Sequence, residues 1–180
     1  MRPFCIDAPV GPLVELTDLR RHLRVDSHEE DALIASYSQA AVDYLDGYGG
    51  VLGRCILPQK WALPLIGRPD VVMLPFPDCR DLQIERRSDE TWTVIDGPAL
   101  QFFEDQVSLS DMPEDWDNLF LTCQAGWASA DHVPENLKQA VRLLVAHWYD
   151  NRSAAATGQV PQQVPLAVSA MIEPLKNIFV

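Results

Sequence analysis

The side chains able to do chemistry are scattered through this sequence. Four histidines, His22, His28, His132 and His147, form neither HExxH nor HxxxH, so no helix face offers two imidazoles to a zinc ion. Four cysteines, Cys5, Cys55, Cys79 and Cys123, lie 50, 24 and 44 residues apart with no CxxC pair. That spacing fits neither a zinc site nor a dense disulfide framework, and reduced, partly buried thiols are the expectation. His147 precedes Asp150 by one helical turn, which could orient an imidazole for a nucleophile, but Ser153 and Ser169 lack the glycine context of a nucleophile elbow. Asp111, Glu114, Asp115 and Asp117 could interest a hard cation, yet they miss the 12-residue calcium-loop pattern and Pro113 interrupts them. Gly47-Tyr48-Gly49-Gly50 has the glycine content of a phosphate loop but ends a helix, where a phosphate cradle would open one. Carboxylate pairs for glycoside hydrolysis can be drawn many ways from 26 acids, so abundance is not evidence. No catalytic constellation, metal site or cofactor site emerges.

Charge narrows the partners. The 180 residues carry 14 basic and 26 acidic groups, a net of −12, with six carboxylates and no base from Glu104 to Asp117. A protein that grips nucleic acid needs a surplus of cations to replace phosphate counterions, so tight wrapping of DNA is not expected. The acidic run reads as a solvated loop. With 47% hydrophobic and 22% charged residues the composition is that of a globular domain. The opening residues lack the long apolar stretch of a signal peptide, and no window of about 18 residues is continuously apolar. A soluble protein not exported by that route is the expectation.

The elements that would position these residues follow from periodicity. Leu16, Leu19 and Leu23 predict a short helix that Thr17 could cap. Ser27 and Glu30 form a capping-box pattern for a second helix, whose apolar stripe is Leu33, Ile34, Tyr37, Ala41, Tyr44, Leu45 and Tyr48. From Cys55 to about Ala125 short β-prone runs alternate with turn signals: 61–65, 71–74, 82–85, 91–95, 100–103, 106–109 and 119–123. Ser88-Asp89-Glu90 and Asp96-Gly97-Pro98 suit hairpin turns. Helical spacing returns after Pro134 with Leu137, Ala140, Val141, Leu144, Val145 and Trp148. The fold class is therefore α+β: a helical core of two N-terminal helices and one long C-terminal helix, joined in space across an inserted antiparallel β region. Residues 1–153 form one such domain with the insertion at about 55–125. A linker at 154–164 follows, then an apolar segment at 165–180 in which Pro174 should break any helix. That segment either folds back onto its own core or docks elsewhere.

Several stretches resemble one family. Leu121-Thr122-Cys123-Gln124-Ala125-Gly126-Trp127, Val133-Pro134-Glu135 and His147-Trp148-Tyr149-Asp150-Asn151-Arg152 are similar to the head-tail connector proteins of long-tailed bacteriophages and phage-like gene transfer agents, also called portal adaptors or head completion proteins. Leu16 to Asp26, with its His22-Leu23-Arg24-Val25-Asp26 end, resembles the family's opening. Arg54-Cys55-Ile56-Leu57 with Trp61 resembles its first strand, and Pro165-Leu166-Ala167-Val168 its terminal stretch. The likeness spans about 13–179 and weakens from roughly 67 to 118.

The resemblance implies a structural virion protein, not an enzyme, made in the bacterial cytoplasm and placed in the neck of a virion or phage-like particle. It implies a ring of about a dozen copies under the portal that extends the DNA channel and offers a surface to the next neck or tail protein. DNA would pass without specific binding, and no membrane is involved. The expected portal-docking residues are Leu166, Val168, Met171, Ile172, Leu175, Ile178 and Phe179; Trp148, Tyr149 and Arg152 are either a subunit contact or part of an ordinary helix packed in its own core. The competing readings are another neck component such as a stopper or tail terminator, an acidic DNA mimic, or a small hydrolase.

Overall fold

The computed structural model describes residues 2–103, 105–151 and 165–177. The chain divides into two compact units, one made of residues 1–10 and 54–127, the other of 11–53 and 128–180.

The first unit is antiparallel β. One sheet has five strands, β1 (Phe4–Asp7), β2 (Gln59–Pro64), β8 (Leu119–Ala125), β4 (Arg80–Ser88) and β5 (Thr91–Val94), in that spatial order. The other has three, β3 (Val71–Met73), β7 (Gln106–Ser110) and β6 (Ala99–Phe103). Their facing residues make one core of Leu63, Leu65, Val72, Leu74, Ile84, Val107, Leu109, Leu119 and Leu121, the arrangement by which two sheets each bury one pleat face.

All seven expected β runs are strands. β1 was not anticipated: it pairs with β2 as Phe4↔Ala62 and Cys5↔Trp61, residues too far apart in sequence for any local turn signal to announce. Ser88-Asp89-Glu90 joins the β4–β5 hairpin, with Asp89 left-handed at φ 55°. Asp96-Gly97-Pro98 does not make a hairpin. β5 pairs with β4 and β6 with β7, so this turn carries the chain from one sheet to the other.

The second unit is helical, containing α1 (Leu16–Leu23), α2 (Asp31–Leu45), α3 (Glu135–Asp150) and α4 (Leu166–Ile172). The helices on either side of the β insertion belong to the same unit. α3 buries Leu137, Ala140, Val141, Leu144 and Val145, a step of three and four that keeps one face on the core. α2 buries Ile34, Ala41, Val42 and Leu45, while Tyr44 and Tyr48 of its expected stripe are partly exposed.

The caps differ from expectation. α1 begins after Glu15, and Thr17 lies inside it without a capping bond. The turn between α1 and α2 leaves Arg24 left-handed at φ 58° with its N–H on the carbonyls of Arg20 and Arg21. Consequently Ser27 Oγ receives the N–H of Glu29 at 3.2 Å, and α2 starts after Glu30 without a side-chain cap. Pro134 and Pro165 sit at the N-cap positions of α3 and α4. Pro174 turns the end of α4 into a 3-10 turn over Glu173–Leu175.

Candidate functional site

In the first unit, the face of the five-stranded sheet opposite the shared core carries a polar cluster of three residues and an aromatic group. Glu85 of β4 is 2% exposed. Its Oε1 accepts hydrogen bonds from Lys60 Nζ at 2.7 Å and from Thr122 Oγ1 at 2.9 Å, both on neighbouring strands. A buried carboxylate requires such a counter-charge, so these three residues tie β2, β8 and β4 together. Along the same face Phe4, Trp92 and Phe120 form a triad, with Trp92–Phe120 centroids 5.1 Å apart and Phe4–Phe120 edge-to-face at 5.7 Å.

The acidic loop is fastened rather than free. Arg68 donates to the Glu114 carbonyl at 2.8 Å, and Arg86 to the Asp115 carbonyl at 2.9 Å and carboxylate at 3.0 Å. Asp115 Oδ1 in turn accepts the Asp117 N–H. A groove of about 640 Å³ runs between 64–68 and 116–120. Among the described residues no group of three or more His, Cys, Asp or Glu could hold a metal ion, so Asp111, Glu114, Asp115 and Asp117 do not converge.

The outer face of the three-stranded sheet has a different character. Register places Val71, Ser108 and Gln101 in one cross-strand row and Met73, Gln106 and Phe103 in the next. Alternation from the buried Val72 and Val107 turns both rows away from the core. Val71 and Met73 are each half exposed and Phe103 is 59% exposed. None of the six side chains ionises, in a chain whose net charge is −12. The sequence concealed this face, because runs such as Val71-Val72-Met73 and Phe102-Phe103 have no polar position to mark an outward side.

In the second unit, Trp148 is half-buried. Tyr149 is half-buried and its hydroxyl donates to the Glu30 carboxylate just before α2, so it braces α3 against its own unit. Arg152, the third expected contact residue, lies outside the described residues. The His147 ring has a local neighbour, its Nδ1 lying 3.5 Å from Asn151 Nδ2, which also donates to the His147 backbone carbonyl at 2.7 Å. The Ser129 Oγ contact with His132 Nδ1 at 2.9 Å belongs to an exposed 3-10 turn over Ala130–His132.

The expected docking residues separate into two groups. Val168 and Ile172 are buried, and Asn136 Nδ2 of α3 donates to the Met171 carbonyl at 3.1 Å. The terminal segment thus folds back onto its unit, which engages those two side chains. Leu166 is 89% exposed, and Met171 and Leu175 are half-buried. Ile178, Phe179 and the 154–164 linker lie outside the described residues.

Within each unit the polar groups described fasten strand to strand or helix to its own unit. The chain belongs to the family of phage gp6-like head-tail connector proteins, whose family model matches residues 14–66 and 101–176. Family membership makes it a structural virion protein and not an enzyme. The unmatched internal stretch, 67–100, falls within the part where the sequence resemblance is weak. No curated protein matches the chain. Among solved structures, a chain from the "Neck of empty GTA particle computed with C6 symmetry" is similar with a TM-score of 0.71 at 22% identity, over 100% of this chain and 97% of that one. Chains from the neck of a native GTA particle computed with C12 symmetry (TM-score 0.70) and from the virion of a native gene transfer agent (GTA) particle (0.67) are similar at the same identity and coverage.

Proposed function

We propose that this protein is a ring-forming adaptor in the neck of a phage-like particle, seated on the portal and prolonging the DNA channel towards a downstream neck or tail protein. Family membership supports the connector role, and the C6 and C12 symmetry of the similar neck structures supports a ring of about a dozen copies. The single observation that carries the assembly argument is the uncharged outer face over Val71, Met73, Gln101, Phe103, Gln106 and Ser108. Copies that each carry −12 repel one another, and their closest approach costs least where no charge must be desolvated. This face is therefore the proposed contact with a neighbouring copy.

The portal contact is assigned to the C-terminal segment, through Leu166 and the apolar residues after Leu175. Val168 and Ile172 support that segment from within. A ring of net-acidic copies should also let DNA pass without sticking, since its phosphates find few cations to exchange for.

The test mixes the purified protein with portal-bearing heads and looks for rings by electron microscopy. Met73→Glu and Phe103→Glu should abolish rings while leaving the folded monomer intact by circular dichroism. Leu166→Glu should weaken attachment to heads and leave copy-to-copy contact unchanged. A protein that stays single-copy on portal-bearing heads overturns the ring, and rings that survive both glutamates overturn the assigned face.

A further inference from the structure

Cys79 and Cys123 are brought together from 44 residues apart. Cys79 ends the segment entering β4, Cys123 lies in β8, and the Cys79 thiol donates to Cys123 Sγ with the sulfurs 3.1 Å apart. Both are free thiols, Cys79 half-buried and Cys123 buried. Their placement is enforced from both sides. Asp78 Oδ2 accepts the Gly126 N–H at 3.2 Å, Arg80 Nη1 donates to the Gly126 carbonyl at 2.7 Å, and Arg80 pairs with Gln124 in the β4–β8 register. Arg54 reinforces this junction, lying 3.7 Å from Asp78 and stacking over Trp127 at 4.5 Å.

We propose that Cys79 and Cys123 are an oxidisable dithiol, which a peroxide converts into a disulfide clamping the entry of β4 to β8. A disulfide needs its sulfurs at about 2.05 Å, so closure asks for roughly 1 Å of movement. The register break between Arg80 and Gln83 supplies the slack. The contact with Cys79, and then burial, push the Cys123 thiol above its ordinary range. The more accessible Cys79 therefore meets the oxidant first.

In the first step Cys79–SH and H₂O₂ give Cys79–SOH and water: sulfur is oxidised and the O–O bond breaks. In the second, Cys123 sulfur attacks Cys79 sulfur and hydroxide leaves. It takes up the Cys123 proton, giving the S–S bond and a second water. One peroxide is reduced for each bond formed.

This chemistry goes beyond the adaptor role and does not depend on it. In a reducing cytoplasm the pair stays as thiols, whereas a particle outside the cell meets oxidants.

The experiment treats the full chain with hydrogen peroxide, alkylates the remaining thiols and measures intact mass and peptide maps. The expected result is a loss of two hydrogens, a fall in alkylatable cysteines from four to two, and one Cys79–Cys123 cross-linked peptide, reversed by dithiothreitol. Cys55→Ser should keep the bond. Cys123→Ser should abolish it and leave Cys79 as sulfenic or sulfinic acid. Cross-links to Cys55 or Cys5, bonds between chains, or a sulfinic acid at Cys79 with Cys123 still alkylatable in the wild type would overturn the proposal.

Discussion

Gly126 sits where β8 ends and has no room for a side chain. Its φ is +97°, and a Cβ built on it would lie 2.2 Å from the Leu57 carbonyl oxygen, 2.7 Å from the Leu57 carbonyl carbon and 3.3 Å from Pro58 N. Those atoms are backbone and cannot rotate away. They are also fixed, because Trp127 N–H donates to the Ile56 carbonyl at 3.1 Å. Gly126→Ala therefore incurs two separate costs. The left-handed conformation costs about 1–2 kcal/mol for a residue with a Cβ. Pushing a packed backbone segment aside costs about 1–3 kcal/mol more, giving roughly 2–5 kcal/mol in all. At roughly 2–4 °C per kcal/mol for a chain of this size, the thermal midpoint should fall by about 4–20 °C. Gly97→Ala is the control, because Gly97 has φ +115° but nothing within 4 Å of the added Cβ. It bears only the conformational term, roughly 1–2 kcal/mol. Urea unfolding of the two variants beside wild type measures the difference. If Gly126→Ala is no more destabilising than Gly97→Ala, the close approach to Leu57 does not exist and the packing of this junction is wrong.

Two further outcomes follow from the polar contacts. Lys60→Met should destabilise by about 3–5 kcal/mol, because it leaves the Glu85 carboxylate buried without its counter-charge. Adding Glu85→Leu should restore much of that loss in urea unfolding, whereas a double variant no better than the single one refutes the pairing. At the start of α3, the hydrogen bond from Arg142 at 2.5 Å, aided by the charges of Arg142 and Lys138, holds the Glu135 carboxyl below the ordinary glutamate range. In that window the folded chain binds fewer protons than the unfolded one. The contribution is thus complete above the usual glutamate range and disappears as pH falls through the lowered value. It is small, since the carboxylate is solvent-exposed. Wild type should exceed Glu135→Gln in melting temperature at neutral pH and converge with it in acid; a constant difference would contradict the assignment.

Local periodicity made most of the fold legible, and the failures are those of non-local information. The stripe from Leu137 to Val145 needs only one helix to show it, and seven β runs announced themselves through composition and flanking turns. β1 did not, because Phe4 meets Ala62 across the whole of α1 and α2. Asp96-Gly97-Pro98 has the residues of a hairpin turn but joins two sheets, because turn chemistry does not say which strands pair. Ile95 N–H still reaches the Ile84 carbonyl in the first sheet at 2.8 Å, and four residues on Ala99 pairs with Ser110 in the second. Capping failed for a related reason. Ser27 has the right spacing to Glu30, yet the left-handed Arg24 sets how the chain approaches α2, and the N–H of Asp31 goes to the His28 carbonyl at 3.3 Å.

The candidate surfaces divide along the same line. An enzyme gathers a few reactive groups whose types survive in sequence even when their geometry does not. A connector works through whole faces, and a face is written in which side of each strand points outward. Val71 and Met73 differ in sequence from Val72 by almost nothing, yet half of each is exposed while Val72 lies in the core. Only the pairing of β3 with β7 decides which of the three looks out. Tyr149 shows the same dependence on the fold: near the end of α3, its hydroxyl donates to the Glu30 carboxylate, 119 residues earlier, a partner that no local pattern announces. Exposure is a property of the folded sheet rather than of residue type: Phe102 of the edge strand β6 pairs with Val107 in the row that turns to the core, yet it is 56% exposed.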